Sequence, residues 1–192
     1  MREKVRMISS DLLSDNWGEV KKHTFELQRR DGSWQRQVRE TYDRGHGAAV
    51  LLYNLDKRTV VLTRQFRFPA WFNGDDNPWL VEVPAGKLDG DDPLTCAKKE
   101  AEEETGYRVH DLTLVATTYM SPGSVTERLW LYIGQYDTGS RISEGGGLEA
   151  EGEDIETLEL PFTEAMAMLD RGEITDGKTI ILLQHAALRG LL

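Results

Sequence analysis

Residues 86–107 of this chain read Gly-Lys-Leu-Asp-Gly-Asp-Asp-Pro-Leu-Thr-Cys-Ala-Lys-Lys-Glu-Ala-Glu-Glu-Glu-Thr-Gly-Tyr. The part from 93 to 104 is typical of a helix with clear ends. Asp92 suits the N-cap, Pro93 suits the first helical position and Gly106 suits the position just past the C-terminus. The segment therefore predicts a helix that carries several glutamates near its C-terminal end.

Three of these glutamates, Glu100, Glu103 and Glu104, share one face of the predicted helix, because residues three and four apart lie on the same side. Like charges at this spacing destabilise a helix by about 0.2–0.5 kcal/mol per pair, and acids near the C-terminus also oppose the macrodipole. A divalent cation would reverse both effects, since Mg²⁺ prefers carboxylate oxygens. The alternative is a solvated charged face screened by Lys98 and Lys99. The spacing alone leaves both interpretations open.

The composition limits the class of protein and of partner. A length of 192 residues with 39% hydrophobic content fits one compact domain, with a small appended subdomain as the alternative. A formal net charge of −10 argues against nucleic acid as a partner. The N-terminus does not resemble a signal peptide, and the lack of any run of about 18 apolar residues argues against a membrane span. The single cysteine, Cys96, fits a packing role in a reducing compartment. We expect a cytoplasmic protein.

Strand patterns surround the predicted helix on both sides. Asp31-Gly32 predicts a tight hairpin turn between two of the strands. We expect strands at 19–29, 33–42, 48–53, 59–68, 79–83, 112–119, 128–136 and 155–160, and two further helices at 162–171 and 178–188. The Gly-rich acidic segment 144–154 predicts a mobile loop. Several strands followed by helices indicate an α+β sandwich.

The quoted segment resembles the Nudix box, Gly-x5-Glu-x7-Arg-Glu-U-x-Glu-Glu-x-Gly-U, in which U is apolar. Three departures stand out. Asp92 replaces the first Glu, Lys99 replaces the Arg, and the gap between these two residues is one residue short. None of them affects the three convergent glutamates. The resemblance implies an α+β Nudix fold, an α/β/α sandwich with a mixed sheet, preceded by an N-terminal β-hairpin subdomain.

The resemblance extends to a subgroup. Over nearly the whole chain the sequence is similar to the bacterial GDP-mannose pyrophosphatases, within the ADP-ribose pyrophosphatase-like subgroup. The similarity is carried by the motifs at 42–45, 64–67, 119–123, 145–147, 153–156 and 176–179. It implies that residues 1–44 form an N-terminal β-hairpin dimerisation segment, that residues 45–192 form the Nudix hydrolase domain, and that the protein is a homodimer.

The resemblance also implies a metal and a base. The metal would be Mg²⁺, with Mn²⁺ as the alternative. Its predicted ligands are the backbone carbonyl of Ala85 and the carboxylates of Glu100, Glu104 and Glu153. Glu103 would support the site, and Glu153 would also act as the general base. The loop that carries Glu153 is longer than the family pattern, so Glu151 and Glu149 are alternative bases.

Contacts with the substrate are a further implication of the resemblance. The predicted binding residues are Trp17, Val38, Arg39, Glu40, Arg67, Ala85, Gly86, Lys87, Glu104, Glu127 and Lys178. Arg67 suits a bidentate contact with a phosphate, and its alternative role is a surface ion pair. Trp17 suits stacking on a base, and its alternative role is a core or interface anchor.

The implied reaction is the Mg²⁺-dependent cleavage of the diphosphate bond of a nucleoside diphosphate sugar, with GDP-mannose giving GMP and mannose 1-phosphate. One alternative is an ADP-ribose pyrophosphatase giving AMP and ribose 5-phosphate. The box ends at Tyr107, and Pro122 lies fifteen residues beyond that end, a spacing typical of that family. Another is a non-catalytic module that binds a nucleotide sugar. Such a module is expected to lose its metal glutamates, and all three are present here.

Overall fold

A computed structural model describes residues 2–192. The chain divides into two compact units. The first unit ends at His46 and also takes in Tyr119–Arg128. The second unit consists of Gly47–Thr118 and Leu129–Leu192.

The first unit contains a three-stranded antiparallel sheet in the order β1-β2-β3. Its strands are β1 (Val5–Asp15), β2 (Glu19–Gln28) and β3 (Trp34–Asp43). The predicted hairpin between β2 and β3 is confirmed, and Gly32 in its turn has a φ of +87°. Strand β1 was not predicted. Its pairing with β2 shifts register between Met7 and Ser9 and again between Leu12 and Ser14, so its apolar residues do not alternate with a period of two.

The second unit is built on a seven-stranded mixed sheet. Five strands run in the order β10-β5-β4-β9-β8, while β6 pairs with β5 and β7 pairs with β4. The strands β4 and β9 are parallel and the other pairs are antiparallel. The strand bounds are β4 (Gly47–Asn54), β5 (Thr59–Phe66), β6 (Trp79–Glu82), β7 (Ala85–Lys87), β8 (Leu112–Thr118), β9 (Leu129–Gln135) and β10 (Glu156–Pro161).

Four α-helices complete this unit. They are α1 (Phe68–Asn73), α2 (Pro93–Thr105), α3 (Phe162–Asp170) and α4 (Gly177–Leu188). The predicted helices correspond to α2, α3 and α4. Helix α1 was not predicted, because its six residues are too few to show a helical period and none of them is buried. Among residues 2–192, no helix combines the length and the apolar character that crossing a bilayer requires.

Strand β4 separates two apolar clusters. Ala48, Val50 and Leu52 pack with residues of α2 on one side, and Ala49 and Leu51 pack with residues of α3 and α4 on the other. Both faces of the central strand are therefore covered, which explains its nearly continuous apolar sequence. The predicted α/β/α sandwich with a mixed sheet is confirmed. Cys96 is buried in the cluster on the α2 side, as its predicted packing role requires.

The core assignment predicts the effect of truncating Leu51, which is 0% exposed. We expect Leu51→Ala to lower the free energy of unfolding by about 2–5 kcal/mol, because it removes buried apolar contacts and leaves a cavity. The matched control is Leu55→Ala, since Leu55 is 45% exposed in the following turn. The control should change the free energy by less than about 0.5 kcal/mol. Urea denaturation measures both, and equal losses would contradict the assignment.

Candidate functional site

Helix α2 is fixed at its ends and along one face. Asp92 accepts hydrogen bonds from the backbone N–H groups of Leu94, at 3.0 Å, and Thr95, at 3.1 Å. The helix ends at Gly106, which has a φ of +77°. Ala97 and Ala101 are fully buried in the cluster shared with β4. This packing sets the rotation of the helix and therefore the direction in which its glutamates point.

The carboxylate of Glu104 is the most deeply buried acid of the helix. Glu104 is 1% exposed, and its Oε2 atom is buried with no hydrogen-bond partner in the part of the chain that the structure describes. Burial, followed by the charges of Glu100 and Glu153, raises the pKa of Glu104 well above its ordinary value, while Arg67 and Lys178 act in the opposite direction. A buried carboxylate oxygen without a partner is costly, and a cation would satisfy it.

Glu100 lies directly against strand β7. A Cβ atom on Gly86 would stand 1.9 Å from Oε1 of Glu100, so a larger residue there would force this carboxylate to move. Ala85, the predicted carbonyl ligand, precedes Gly86 in β7 and pairs with Ala49 of β4. Burial, then the charges of Glu103 and Glu153, raise the pKa of Glu100 to about 7.

The Gly-rich loop is attached to the C-terminal end of α2. The N–H of Gly146 donates to the carbonyl of Glu104 at 2.9 Å, and the N–H of Gly147 donates to the carbonyl of Glu103 at 3.0 Å. The N–H of Ile155 donates back to the carbonyl of Gly146 at 3.1 Å. These bonds satisfy carbonyl groups that a helix end leaves without partners. The predicted loop is therefore held at both ends by main-chain hydrogen bonds.

This attachment brings Glu153 to the acids of α2. Its Oε2 atom accepts a hydrogen bond from the N–H of Leu148 at 2.9 Å. The charge of Glu153 raises the pKa of both Glu100 and Glu104. Glu149 and Glu151 lie in the preceding 3-10 turn. The loop therefore supplies a fourth carboxylate beside the three of the helix.

The donor set fits a hard divalent cation. Carboxylate and carbonyl oxygens are the ligands that Mg²⁺ prefers, and a cation would offset the repulsion among the four carboxylates. Between residues 2 and 192, no three His, Cys, Asp or Glu side chains already stand in a metal-binding arrangement. The carboxylates are close enough to shift one another's pKa, and the partnerless oxygen of Glu104 marks where a cation would be stabilised.

Two predicted substrate residues, Arg67 and Lys178, meet at a third residue that the sequence did not reveal. Glu82 is 2% exposed and accepts two hydrogen bonds from Arg67, from Nε at 2.6 Å and from Nη2 at 2.9 Å. The ammonium of Lys178 also contacts Glu82, and it donates to Oδ1 of Asp176 at 2.9 Å. The signal for Glu82 was a single charge at the end of the short apolar strand β6.

This buried carboxylate is ionised because of its two cations. Burial alone would raise the pKa of Glu82, but the charge of Lys178 and the hydrogen bond and charge of Arg67 lower it to about 2. Each charged group of this network therefore contacts at least one group of opposite charge. The same two cations act on the pKa of Glu104, which places the network within electrostatic range of the acidic cluster.

The other predicted substrate residues belong mostly to the first unit. Trp17 is 72% exposed, and the guanidinium of Arg44 lies 5.6 Å from the centre of its ring. Nε of Arg44 also donates to Oε1 of Glu127 at 3.0 Å, so Arg44 links these two predicted residues. The exposed residues Val38, Arg39 and Glu40 lie on β3. In the second unit, Lys87 follows Gly86 in β7 and forms an ion pair with Asp89 at 3.4 Å.

Comparison with known proteins gives matches along almost the entire chain. Residues 4–42 match the family model described as the GDP-mannose pyrophosphatase NudK N-terminal domain, and residues 43–183 match the NUDIX domain model. A GDP-mannose pyrophosphatase of Pectobacterium atrosepticum is 51% identical over 99% of this chain and 97% of the relative. One from Cronobacter sakazakii is 50% identical over 98% and 97%, and one from Escherichia coli O157:H7 is 47% identical over all of both chains.

The position of Glu153 predicts the effect of adding a methyl group to Gly147. A Cβ atom there would stand 2.5 Å from Oε2 of Glu153 and displace that carboxylate. We expect Gly147→Ala to weaken Mn²⁺ binding, measured by titration calorimetry, by about tenfold. Gly152→Ala is the matched control, because Gly152 also has a positive φ but a Cβ there meets nothing within 4 Å. Equal losses in both variants would point to backbone strain and not to Glu153.

The raised pKa of Glu100 predicts a pH-dependent stability in EDTA. Between its ordinary value of 4.5 and about 7, the folded protein holds a proton on Glu100 that the unfolded chain has released. This contribution therefore destabilises the fold progressively as the pH rises through that window. We expect Glu100→Gln to lose less stability than the wild type between about pH 5 and pH 7 in denaturation experiments.

Glu102→Gln serves as the control, because Arg108 lowers the pKa of Glu102 through a hydrogen bond and the contribution of Glu102 therefore lies outside this window. Identical slopes for the wild type and Glu100→Gln would contradict the assigned electrostatic environment of Glu100.

Proposed function

Since this chain belongs to the Nudix family, we propose that it hydrolyses the diphosphate bond of a nucleoside diphosphate sugar with the help of a divalent cation. We propose GDP-mannose as the substrate and GMP and mannose 1-phosphate as the products. The relatives that bear the name GDP-mannose pyrophosphatase match this chain from end to end, which supports the choice of substrate class.

One observation carries the proposal. The Oε2 atom of Glu104 is buried without a hydrogen-bond partner among the described residues, next to carboxylates whose charges raise its pKa. Such an arrangement disfavours the ionised carboxylate unless a cation binds there. A site with such a buried, partnerless carboxylate oxygen is suited to metal-dependent chemistry and not to the binding of a neutral ligand.

Ala85, Glu100, Glu104 and Glu153 would hold the cation, with Glu103 in support. Mg²⁺, or alternatively Mn²⁺, would supply neutralisation of phosphate charge and activation of the attacking water. Gly86 would contribute by leaving space for Glu100, since any larger residue would collide with that carboxylate.

Glu153 is the proposed general base. A base must lie within hydrogen-bonding reach of the water from which it takes a proton. The Leu148 N–H bond to one carboxylate oxygen of Glu153 limits the rotation of the side chain and leaves the other oxygen to accept that proton. Glu151 and Glu149, both in the adjacent 3-10 turn, are the alternative bases.

The remaining proposed roles concern binding. Arg67 and Lys178 would supply positive charge to the diphosphate. Lys87, on the strand β7 that precedes α2, would also contact the substrate. Trp17 would stack on the base, with Glu127 and residues of β3 completing the nucleotide contacts. Residues 1–44 are proposed as the dimerisation segment and residues 45–192 as the hydrolase domain of a cytoplasmic homodimer.

An ADP-ribose pyrophosphatase is the second candidate, because Pro122 stands at the spacing found in that family. It would use the same cation and the same base. A non-catalytic nucleotide-sugar-binding module is less well supported, since the three α2 glutamates and Glu153 are all retained.

A panel of substrates tests the proposal. GDP-mannose, ADP-ribose, ADP-glucose and UDP-sugars are incubated with the wild type, with and without EDTA, and released monophosphate is measured. We expect GDP-mannose to give the highest kcat/KM and EDTA to abolish turnover. Glu104→Gln should lower kcat by about 10²–10⁴-fold, because it removes a proposed ligand of the cation.

Glu102→Gln is the control for this variant, since Glu102 is on the same helix and pairs with Arg108 at 2.8 Å on the surface. Preference for ADP-ribose would replace the proposed substrate with the second candidate. Saturable binding of GDP-mannose without turnover would support the non-catalytic module, and a wild-type rate in Glu104→Gln would remove the role of Glu104.

A further inference from the structure

We propose that Glu82 is a positioning residue, which holds the guanidinium of Arg67 and the ammonium of Lys178 in the orientation in which both bind the diphosphate of the substrate. The inference rests on the proposed function, because Arg67 and Lys178 are taken to bind substrate. Glu82 itself is not taken to touch the substrate, because both of its carboxylate oxygens already accept hydrogen bonds from Arg67 and Lys178.

The contact with Arg67 fixes one edge of its guanidinium. Nε and Nη2 both donate to Glu82, so the plane of the group is set by two parallel hydrogen bonds. Nη1 forms no hydrogen bond to any residue from 2 to 192, and the Arg67 side chain is 38% exposed. Glu82 therefore leaves a pre-oriented, partly exposed pair of N–H groups, which suits the binding of a phosphate oxygen.

Hydrogen bonds to the backbone hold the Lys178 side of this network in place. Asp176, the second partner of Lys178, caps α4 by accepting a hydrogen bond from the N–H of Thr179 at 2.9 Å. The hydroxyl of Thr179 also donates to Asp176 at 2.6 Å and accepts a hydrogen bond from the N–H of Val83 at 2.8 Å. The residue that follows Glu82 is thus bonded to the first turn of the helix that carries Lys178. This arrangement leaves the ammonium little freedom to move.

The charges of this network are balanced. Glu82 and Asp176 carry two negative charges, and Arg67 and Lys178 carry two positive charges. Removing the charge of Glu82 would leave an excess positive charge beside an anion site. Coulomb attraction alone would then strengthen the binding of an anion. Loss of orientation would weaken it, so the direction of the change distinguishes a positioning role from a purely electrostatic one.

Inorganic pyrophosphate in the presence of Mg²⁺ is the probe, because its binding does not depend on turnover of a nucleotide sugar. Titration calorimetry gives its Kd for the wild type, Glu82→Gln, Arg67→Lys and the double variant. We expect about a tenfold higher Kd in each single variant, since hydrogen bonds to charged groups are lost. The Kd of the double variant should be about that of the weaker-binding single variant, because both substitutions disrupt one unit.

Glu156→Gln is the matched control. It breaks the ion pair between Arg64 and Glu156, whose Nη1 and Oε2 atoms are 2.9 Å apart. Both side chains are exposed, on the surface where β5 pairs with β10. Its Kd should stay within about twofold of the wild type. With GDP-mannose, Glu82→Gln should raise KM and lower kcat, whereas a merely structural role would lower the folded fraction and leave KM unchanged.

Several outcomes overturn the inference. They are an unchanged or lower Kd in Glu82→Gln, or a double variant whose loss equals the product of the single losses. If Glu82→Gln does not fold, Glu82→Asp takes its place. This variant keeps the charge and shortens the reach, and wild-type pyrophosphate binding would then overturn the inference. If the wild type hydrolyses no nucleotide sugar, the proposed function fails, and the pyrophosphate titrations still decide the role of Glu82.

Discussion

Repulsion among carboxylates that the fold holds close together governs the structure around helix α2. Glu104 is buried against the sheet, and Glu100 and Glu153 both disfavour its ionisation. The burial of Ala97 and Ala101 against β4 prevents the helix from turning these charges toward solvent. Apolar packing therefore stabilises a cluster that electrostatics opposes, which is the kind of conflict expected where a protein has a function to perform.

Two different devices surround this cluster. On one side, backbone hydrogen bonds from the Gly145–Gly147 segment hold the loop that carries Glu153 on the end of α2. On another, Arg67 and Lys178, the two cations that Glu82 contacts, lower the pKa of Glu104 and partly offset the effect of its burial. The first uses main-chain groups and is insensitive to side-chain identity, provided that glycine occupies the close contacts. The second depends wholly on which side chains are present.

Local signals in the sequence predicted local structure well. The ends of α2 follow from Asp92 and Gly106, and the β2–β3 hairpin follows from its Asp-Gly turn. Strand β1 was missed because its register shifts break the alternation of its apolar residues. Helical spacing alone predicted that the α2 glutamates share one face. Arg67 and Lys178 were predicted only from the resemblance to the family. Their meeting at Glu82 joins residues 15 and 96 positions apart, and no local pattern encodes such a contact.

The way the Gly-rich loop is fastened also bears on how chain length can vary. Its anchors are Gly146 and Gly147 at one end and Ile155 at the other, while Gly152, in the turn between them, would meet no neighbouring atom even with an added methyl group. A change of chain length within 149–152 lies between these anchors, but it would also act on the hydrogen bonds that join Leu148 to Glu151 and Glu153. Chain length in this turn therefore bears directly on the position of Glu153.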